Sequence, residues 1–396
     1  MVLSDRARRI QPSATLAISA KAKQMKAEGH NVIGFGAGEP DFDTPEHIKQ
    51  AAVAALARGE TKYVFSQTGK LKQAIAQQTS ACLGVDYEPE QVLISCGAKH
   101  CLYNIILATC QPGDEVIIPS PYWLSYPEMV RLAGAEPVIV PLDESRDFSL
   151  DAEALKRAVG LKTKVIIANS PSNPTGAVFD EAALRVIIDI AAKHGVVVIS
   201  DDIYDHLVYD GLKFRNVLML EPGLKDQTVV VNGVSKTYAM TGWRVGWAVG
   251  PKEINAAAAS IQSHSTSDPS PFALAGALAA LEGPQESAAR MAAEFDRRRE
   301  FIVGRLQAMP GVNLVRPRGA FYVFPDVSAL MGRGRAERKI ENSVDMAGFL
   351  LDEGKVAVVP GGPFGSEKHI RLSYAASMAD LQEGAARLAR CFGLLA

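Results

Sequence analysis

The 396-residue chain has no run of about 18 apolar residues, the length that would cross a bilayer as a helix. Its first 29 residues are basic, but they alternate small with apolar residues and lack the continuous apolar core of a secretory signal. No membrane partner is expected, and the cytoplasm is the expected location. An excess of one charge is also missing. Lys and Arg total 42 against 44 for Asp and Glu, a formal net charge of −2, so nothing steers the chain toward nucleic acid or an anionic surface. Cysteine is scarce and odd in number, at five residues. Without a CxxC pair or a neighbouring His cluster, neither a zinc site nor a disulfide framework is indicated, and no metal is expected. Cys82, Cys96, Cys101, Cys110 and Cys391 read as reduced, buried thiols. No internal repeat or low-complexity tract occurs.

Hydrophobic residues make up 47% of the chain, enough for a large core, and the length suggests two domains. The middle of the chain repeats one theme of β-branched run, turn and helix. Strands are expected at 91–95, 114–120, 136–142, 163–170, 195–202 and 227–233. Helical patterns lie between them, including AKHCLYNIILATC and DEAALRVIIDIAAKHG, the second capped by Asp180 and stopped by Gly195. Such alternation predicts an α/β fold, a mostly parallel sheet flanked by helices. From about residue 285 a long charged helix leads into mixed sequence with short strands. The reading is an N-terminal arm with part of a small domain at 1–45, a large domain at 46–284, and a smaller α+β domain completed by 285–396. The polar stretch 328–343 reads as a mobile surface loop.

The segment VNGVSKTYAMTGWRVGWAVG (231–250) carries the most chemistry. A strand ends in a small-residue turn, Lys236 follows in apolar surroundings, and Arg244 comes eight residues later. A desolvated lysine has a lowered pKa and can act as an amine nucleophile. An isolated lysine is more often a solvated surface residue, but these flanks are too apolar for that. Asp201 lies at the C-terminal end of an expected core strand, where open α/β sheets bind ligands, although an acid there is as often a helix N-cap. Asp202 reads as the less constrained neighbour. Asn173 precedes Pro174 and is expected to be extended, with Thr175 and Gly176 completing a turn. SCGAK (95–99) joins a strand to a helix, and its free N–H groups could hold an anion. Ser235 adds a hydroxyl, and Arg244 a fork suited to phosphate. Arg371 sits inside an apolar strand and needs an anionic partner, either an internal salt bridge or a ligand.

SKTYAMTGWRVGW resembles the cofactor-lysine signature of the fold-type I, class I and II aminotransferases, which use pyridoxal 5'-phosphate. NSPSNPTGAV, ISDDIYDHLVY, GAGEPDFDTP, PYWLSYPEM, RGAFYVFP and HIRLSYA match further blocks of that family in order. The resemblance spans essentially the whole chain and is closest to the bacterial aspartate and prephenate aminotransferase subgroup. It implies that Lys236 holds the cofactor as a Schiff base and shuttles the proton. Asp201 would pair with the ring nitrogen, and Tyr204 and Asn173 with the ring oxygen. Trp123 would stack on the ring. Gly97, Ala98, Lys99, Ser235 and Arg244 would hold the phosphate, joined by Tyr63 from the other subunit of a homodimer. Arg371 would take the substrate α-carboxylate, with Gly38 beside it. Gly233 stands where many relatives have a serine, which removes one phosphate donor.

The stretch 262–271, where some aspartate aminotransferases supply an arginine for a second carboxylate, has none; the bacterial subgroup instead uses a lysine in the glycine turn, so the resemblance implies that Lys99, with Ser13 and Thr15 lining the pocket, selects acidic substrates. Gln11, where some relatives carry a basic residue, weakens the case for prephenate. The roles of His100 and His264 are left open. The implied activity is transfer of an amino group from an L-amino acid, aspartate or glutamate, to a 2-oxo acid such as 2-oxoglutarate, by ping-pong kinetics. Alternatives are an aminotransferase for aromatic or neutral amino acids or prephenate, and a lyase on the same fold. A regulator with an aminotransferase-like domain would need an added DNA-binding segment, for which the first 45 residues are too short.

Overall fold

The computed structural model describes residues 3–63, 68–335 and 338–395. Its centre is a seven-stranded sheet. In spatial order the strands are Val92–Ser95, Gly246–Val249, Thr228–Gly233, Val197–Asp201, Thr163–Asn169, Glu115–Ser120 and Glu136–Pro141. All neighbours pair parallel except Gly246–Val249, which is antiparallel to both of its partners. Apolar residues fill both faces, as expected for strands covered by crossover helices. The six expected strands are all present. The antiparallel strand was not expected, because four residues rich in glycine and tryptophan show no period.

The crossover helices follow the sequence signals closely. Glu181–His194 starts at Asp180, whose carboxylate accepts from the Ala183 N–H at 2.8 Å, and stops at Gly195 with φ of 66°. Ala98–Thr109 begins just after Gly97, whose φ of 87° favours glycine. Parallel register places Asn169 directly beside Asp201 at the C-terminal edge of the sheet. Lys236 sits one turn beyond the end of Thr228–Gly233, on the short helix Val234–Thr237. The crossovers thus deliver these side chains to the same edge.

A second core gathers Phe295, Phe321, Tyr322, Phe349, Leu372 and Leu388 around a three-stranded antiparallel sheet. Its strands run Val359–Pro360, Ile370–Ser373 and Tyr322–Val323. The long helix Glu286–Gln307 leads into it, and Ile33–Gly34 pairs with Val356–Ala357, tying the N-terminal segment to the C-terminal part. Two readings need correction. The stretch 328–343 is not simply a loop: Gly334–Arg335 pairs with Arg338–Lys339, and Leu330 and Ile340 are buried, although residues 336 and 337 lie outside the described residues. Cys82 is exposed and Cys96 half-buried, so only Cys101, Cys110 and Cys391 are buried thiols. No helix among the described residues is long and apolar enough to cross a membrane.

Candidate active site

Between the C-terminal edge of the large sheet and the small sheet lies a cavity of about 350 Å³. Ser13, Thr15, Gly38, Ala98, Lys99, Trp123, Asn173, Asp201, Tyr204, Ser235, Lys236, Arg244 and Arg371 all line it. Tyr63 and Gly97 do not. Tyr63 is 85% exposed and lies away from its own chain's cavity. Gly97 supports the wall from behind. A Cβ there would lie 2.7 Å from Arg244 Nη2, so only glycine lets the guanidinium cross the start of the helix. His100 bonds Asn104 and Thr266 and stacks on Tyr103, outside the cavity; His264 caps its helix and does not reach it either.

The Lys236 amine donates to the Gly38 carbonyl at 2.5 Å. Burial pulls its pKa down to about 8; the nearby Glu39 opposes that shift, and Arg371 and Arg244 add to it. A fraction of this amine is therefore neutral near neutral pH. Asp201 is 3% exposed, and burial pushes its carboxyl up to about 6. The Tyr126 hydroxyl donates to Asp201 Oδ2 at 2.5 Å, favouring the ionised form. Asn169 Nδ2 donates to the Asp201 carbonyl, and Asn169 Oδ1 accepts from the Asn173 N–H, each at 3.0 Å. Asp202 is not the unconstrained acid expected. It is equally buried, accepts from Ser200 and Asn216, and is raised well above the ordinary carboxyl value by burial.

Arg371 is 2% exposed. Its Nη2 donates to the Gly36 carbonyl at 2.8 Å and its Nη1 to Asn173 Oδ1 at 3.0 Å. The guanidinium lies 4.6 Å from the Tyr322 ring centre and 5.0 Å from that of Phe364. Its Nε is buried without a partner, and no carboxylate among the described residues pairs with it. The internal salt bridge is thus excluded among these residues. A buried, uncompensated cation opening onto a cavity is a receptor for an anion.

At the far end, Arg244 donates to the Thr241 and Cys96 carbonyls at 2.8 and 3.2 Å, beside the helix N-terminus at Ala98. Lys99 Nζ stands 4.8 Å from the Trp123 ring centre, and its pKa is lowered by desolvation and by Arg244. Ser13 begins the helix Ala14–Ala27, its hydroxyl accepting from the Leu16 N–H.

Among the wall residues that sequence reasoning missed, three hold the predicted ones in place. Tyr126 holds Asp201. Tyr322 meets the Tyr204 hydroxyl at 2.8 Å, and a Cβ on Gly38 would sit 2.9 Å from its hydroxyl. Asn169 ties Asp201 to Asn173. All three lie in blocks already picked out, but only the fold shows which side chains point inward.

These parts suit pyridoxal 5'-phosphate. An acid, an amine and a helix start with an arginine beside it line one cavity, and its volume is within the range of ~300–1,000 Å³ usual for such sites.

Comparison with known proteins points the same way. The family described as aminotransferase class I and II matches residues 30–388. The aspartate aminotransferase of Geobacillus stearothermophilus is 45% identical over 98% of both chains. The aspartate/prephenate aminotransferase of Cereibacter sphaeroides is 47% identical over 99% of both. The crystal structure of the Rhizobium meliloti aspartate aminotransferase superposes with a TM-score of 0.94, at 43% identity and 99% coverage of each chain.

Proposed function

The chain belongs to the class I and II aminotransferases, and we propose from its cavity how it moves an amino group between aspartate or glutamate and a 2-oxo acid. One observation carries the reading: the Lys236 amine, the Asp201 carboxylate and the Arg371 guanidinium, which has no acidic partner among the described residues, open onto one cavity.

Pyridoxal 5'-phosphate, when bound, supplies an aldehyde that captures the amino group and a ring that draws electrons from the α-carbon. Lys236, Asp201, Tyr204, Asn173, Trp123, Ser235, Arg244 and the Gly97–Lys99 turn would hold it. Asp201 keeps a proton on the ring nitrogen, and Tyr126 keeps Asp201 ionised for that task. Arg371 binds the α-carboxylate of the incoming acid and so fixes the orientation of the α-carbon. The Lys236 amine, held near pKa 8, removes the α-proton and returns it, as base and then acid. Lys99, with Ser13 and Thr15 on the same wall, meets the distal carboxylate and favours acidic substrates.

We take residues 1–45 and 285–396 as a small domain that closes the cavity of the large domain, 46–284. The exposure of Tyr63 suits a homodimer in which it serves the partner's cavity. With 2-oxoglutarate as acceptor, initial rates against aspartate at several acceptor concentrations are expected to give parallel reciprocal plots. Intersecting lines would count against two half-reactions sharing one site.

A further inference from the structure

Two consecutive side chains just before the Arg371 strand grip one carboxylate from the loop that follows the large sheet's edge strand. Glu144 lies just after the edge strand Glu136–Pro141. Its Oε1 is 3.0 Å from His369 Nε2, and its Oε2 accepts from the Lys368 ammonium. His369 is 1% exposed and stacks on Phe324 at 4.4 Å with the rings 6° apart. Phe148, from the same loop as Glu144, lies 6.0 Å from the imidazole. Ser366 Oγ stands 2.7 Å from Nδ1. These contacts suit one neutral tautomer, in which Nε2–H donates to Glu144 and Nδ1 accepts from Ser366. Burial lowers the pKa of His369 and so favours that neutral form.

Glu144, Asp326 and His369 have the donor types of a cation site, but Lys368 already contacts both carboxylates, reaching Asp326 at 3.4 Å. The cluster therefore has another use. His369 and Arg371 are two apart on an extended segment, so their side chains share one face. Each fastens that face to the large sheet's side of the cavity, His369 through Glu144 and Arg371 through Asn173. Close by, the turn at 361–366 docks on the same edge, where the Tyr122 N–H donates to the Phe364 carbonyl at 3.0 Å.

We infer that Glu144 and His369 are positioning residues for substrate binding: their bond sets how far the Arg371 strand stands from Asn173 and hence where the α-carboxylate is held. The inference rests on the aminotransferase reading. It assigns a binding role to a loop outside the cavity and to a histidine that touches neither substrate nor cofactor.

The test uses the full-length holoenzyme. Glu144→Ala and His369→Phe each remove the bond, the second keeping a ring to stack on Phe324. Glu144→Gln keeps an acceptor for His369, and Lys368→Ala removes the half-exposed ammonium from Glu144 and Asp326 but keeps the His369–Glu144 bond. KM for both aspartate and 2-oxoglutarate is expected to rise about fivefold or more in Glu144→Ala and His369→Phe, with kcat changed less than about threefold. Glu144→Gln and Lys368→Ala are expected to stay within about twofold of the parent. The absorbance of bound cofactor should be unchanged throughout. If His369→Phe does not fold, Glu144→Ala decides alone, since the Glu144 side chain keeps 18% exposure where that of His369 has 1%. Unchanged KM values in Glu144→Ala, or a loss confined to kcat, would overturn the inference. A parent enzyme that transaminates neither substrate would instead sink the underlying reading, and does so before any variant is compared.

Discussion

The Tyr126 hydroxyl donates to Asp201 Oδ2 at 2.5 Å, and both groups are buried. A buried acid in the cavity wall is thereby kept competent to ionise although burial opposes it. Tyr126→Phe removes the only side-chain donor to this carboxylate among the described residues. A lost hydrogen bond to a charged group costs about 1.5–3 kcal/mol, so kcat is expected to fall roughly 10- to 100-fold. Cofactor absorbance should persist at saturating pyridoxal phosphate. Steady-state kinetics alongside an absorbance titration checks this.

Asp201 also costs the empty protein stability. Its carboxyl titrates at about 6 in the folded chain and at the ordinary value of 3.8 when unfolded. Between these values the folded state holds more protons, so stability falls as pH rises through that window and stays reduced above it. Asp201→Asn is therefore expected to raise the melting temperature of the cofactor-free protein by a few degrees at pH 8, a gain of at most about 3 kcal/mol. At pH 3.5, where Asp201 is neutral in the folded chain and mostly protonated in the unfolded one, the difference should become small. The same variant is expected to lose on the order of 100-fold or more in kcat.

Lys236 must be neutral to attack an aldehyde, and its amine titrates at about 8. The rate at which the cofactor-free protein captures pyridoxal phosphate, trapped by borohydride reduction, is expected to rise between pH 7 and pH 9 around this value. Lys236→Ala should retain no reduced cofactor. A rate flat with pH would mean that the amine is not the titrating nucleophile.

Most of the architecture could be read from the chain. Val/Ile runs fixed six core strands, and Asp180 and Gly195 marked a helix at both ends. Asp201, Lys236 and Arg371 stood out because each places a charge in an apolar setting, a pattern visible in sequence. Tyr126 and Tyr322 did not, since aromatics in apolar blocks are usually packing, and their hydroxyls matter only once crossovers bring them to Asp201 and Tyr204. Asp202 was misjudged for the same reason. It lies just past the strand end, and its partner Asn216 meets it only through folding.

Substrate choice turns on Lys99. Replacing it by alanine removes a cation from the wall beside Trp123 while leaving Arg371 in place. kcat/KM for aspartate is expected to fall at least about 10-fold, and that for phenylalanine to change less than about threefold. Equal losses on both substrates would show that Lys99 serves the cofactor rather than the distal carboxylate.

The central claim is best tested by one half-reaction. The purified holoenzyme is mixed with aspartate alone, without any 2-oxo acid, and its spectrum is followed. The account expects the absorbance of Lys236-bound pyridoxal phosphate to give way to that of pyridoxamine phosphate, one equivalent of oxaloacetate to appear, and 2-oxoglutarate to restore the starting spectrum. A spectrum unchanged by aspartate and by glutamate would contradict it.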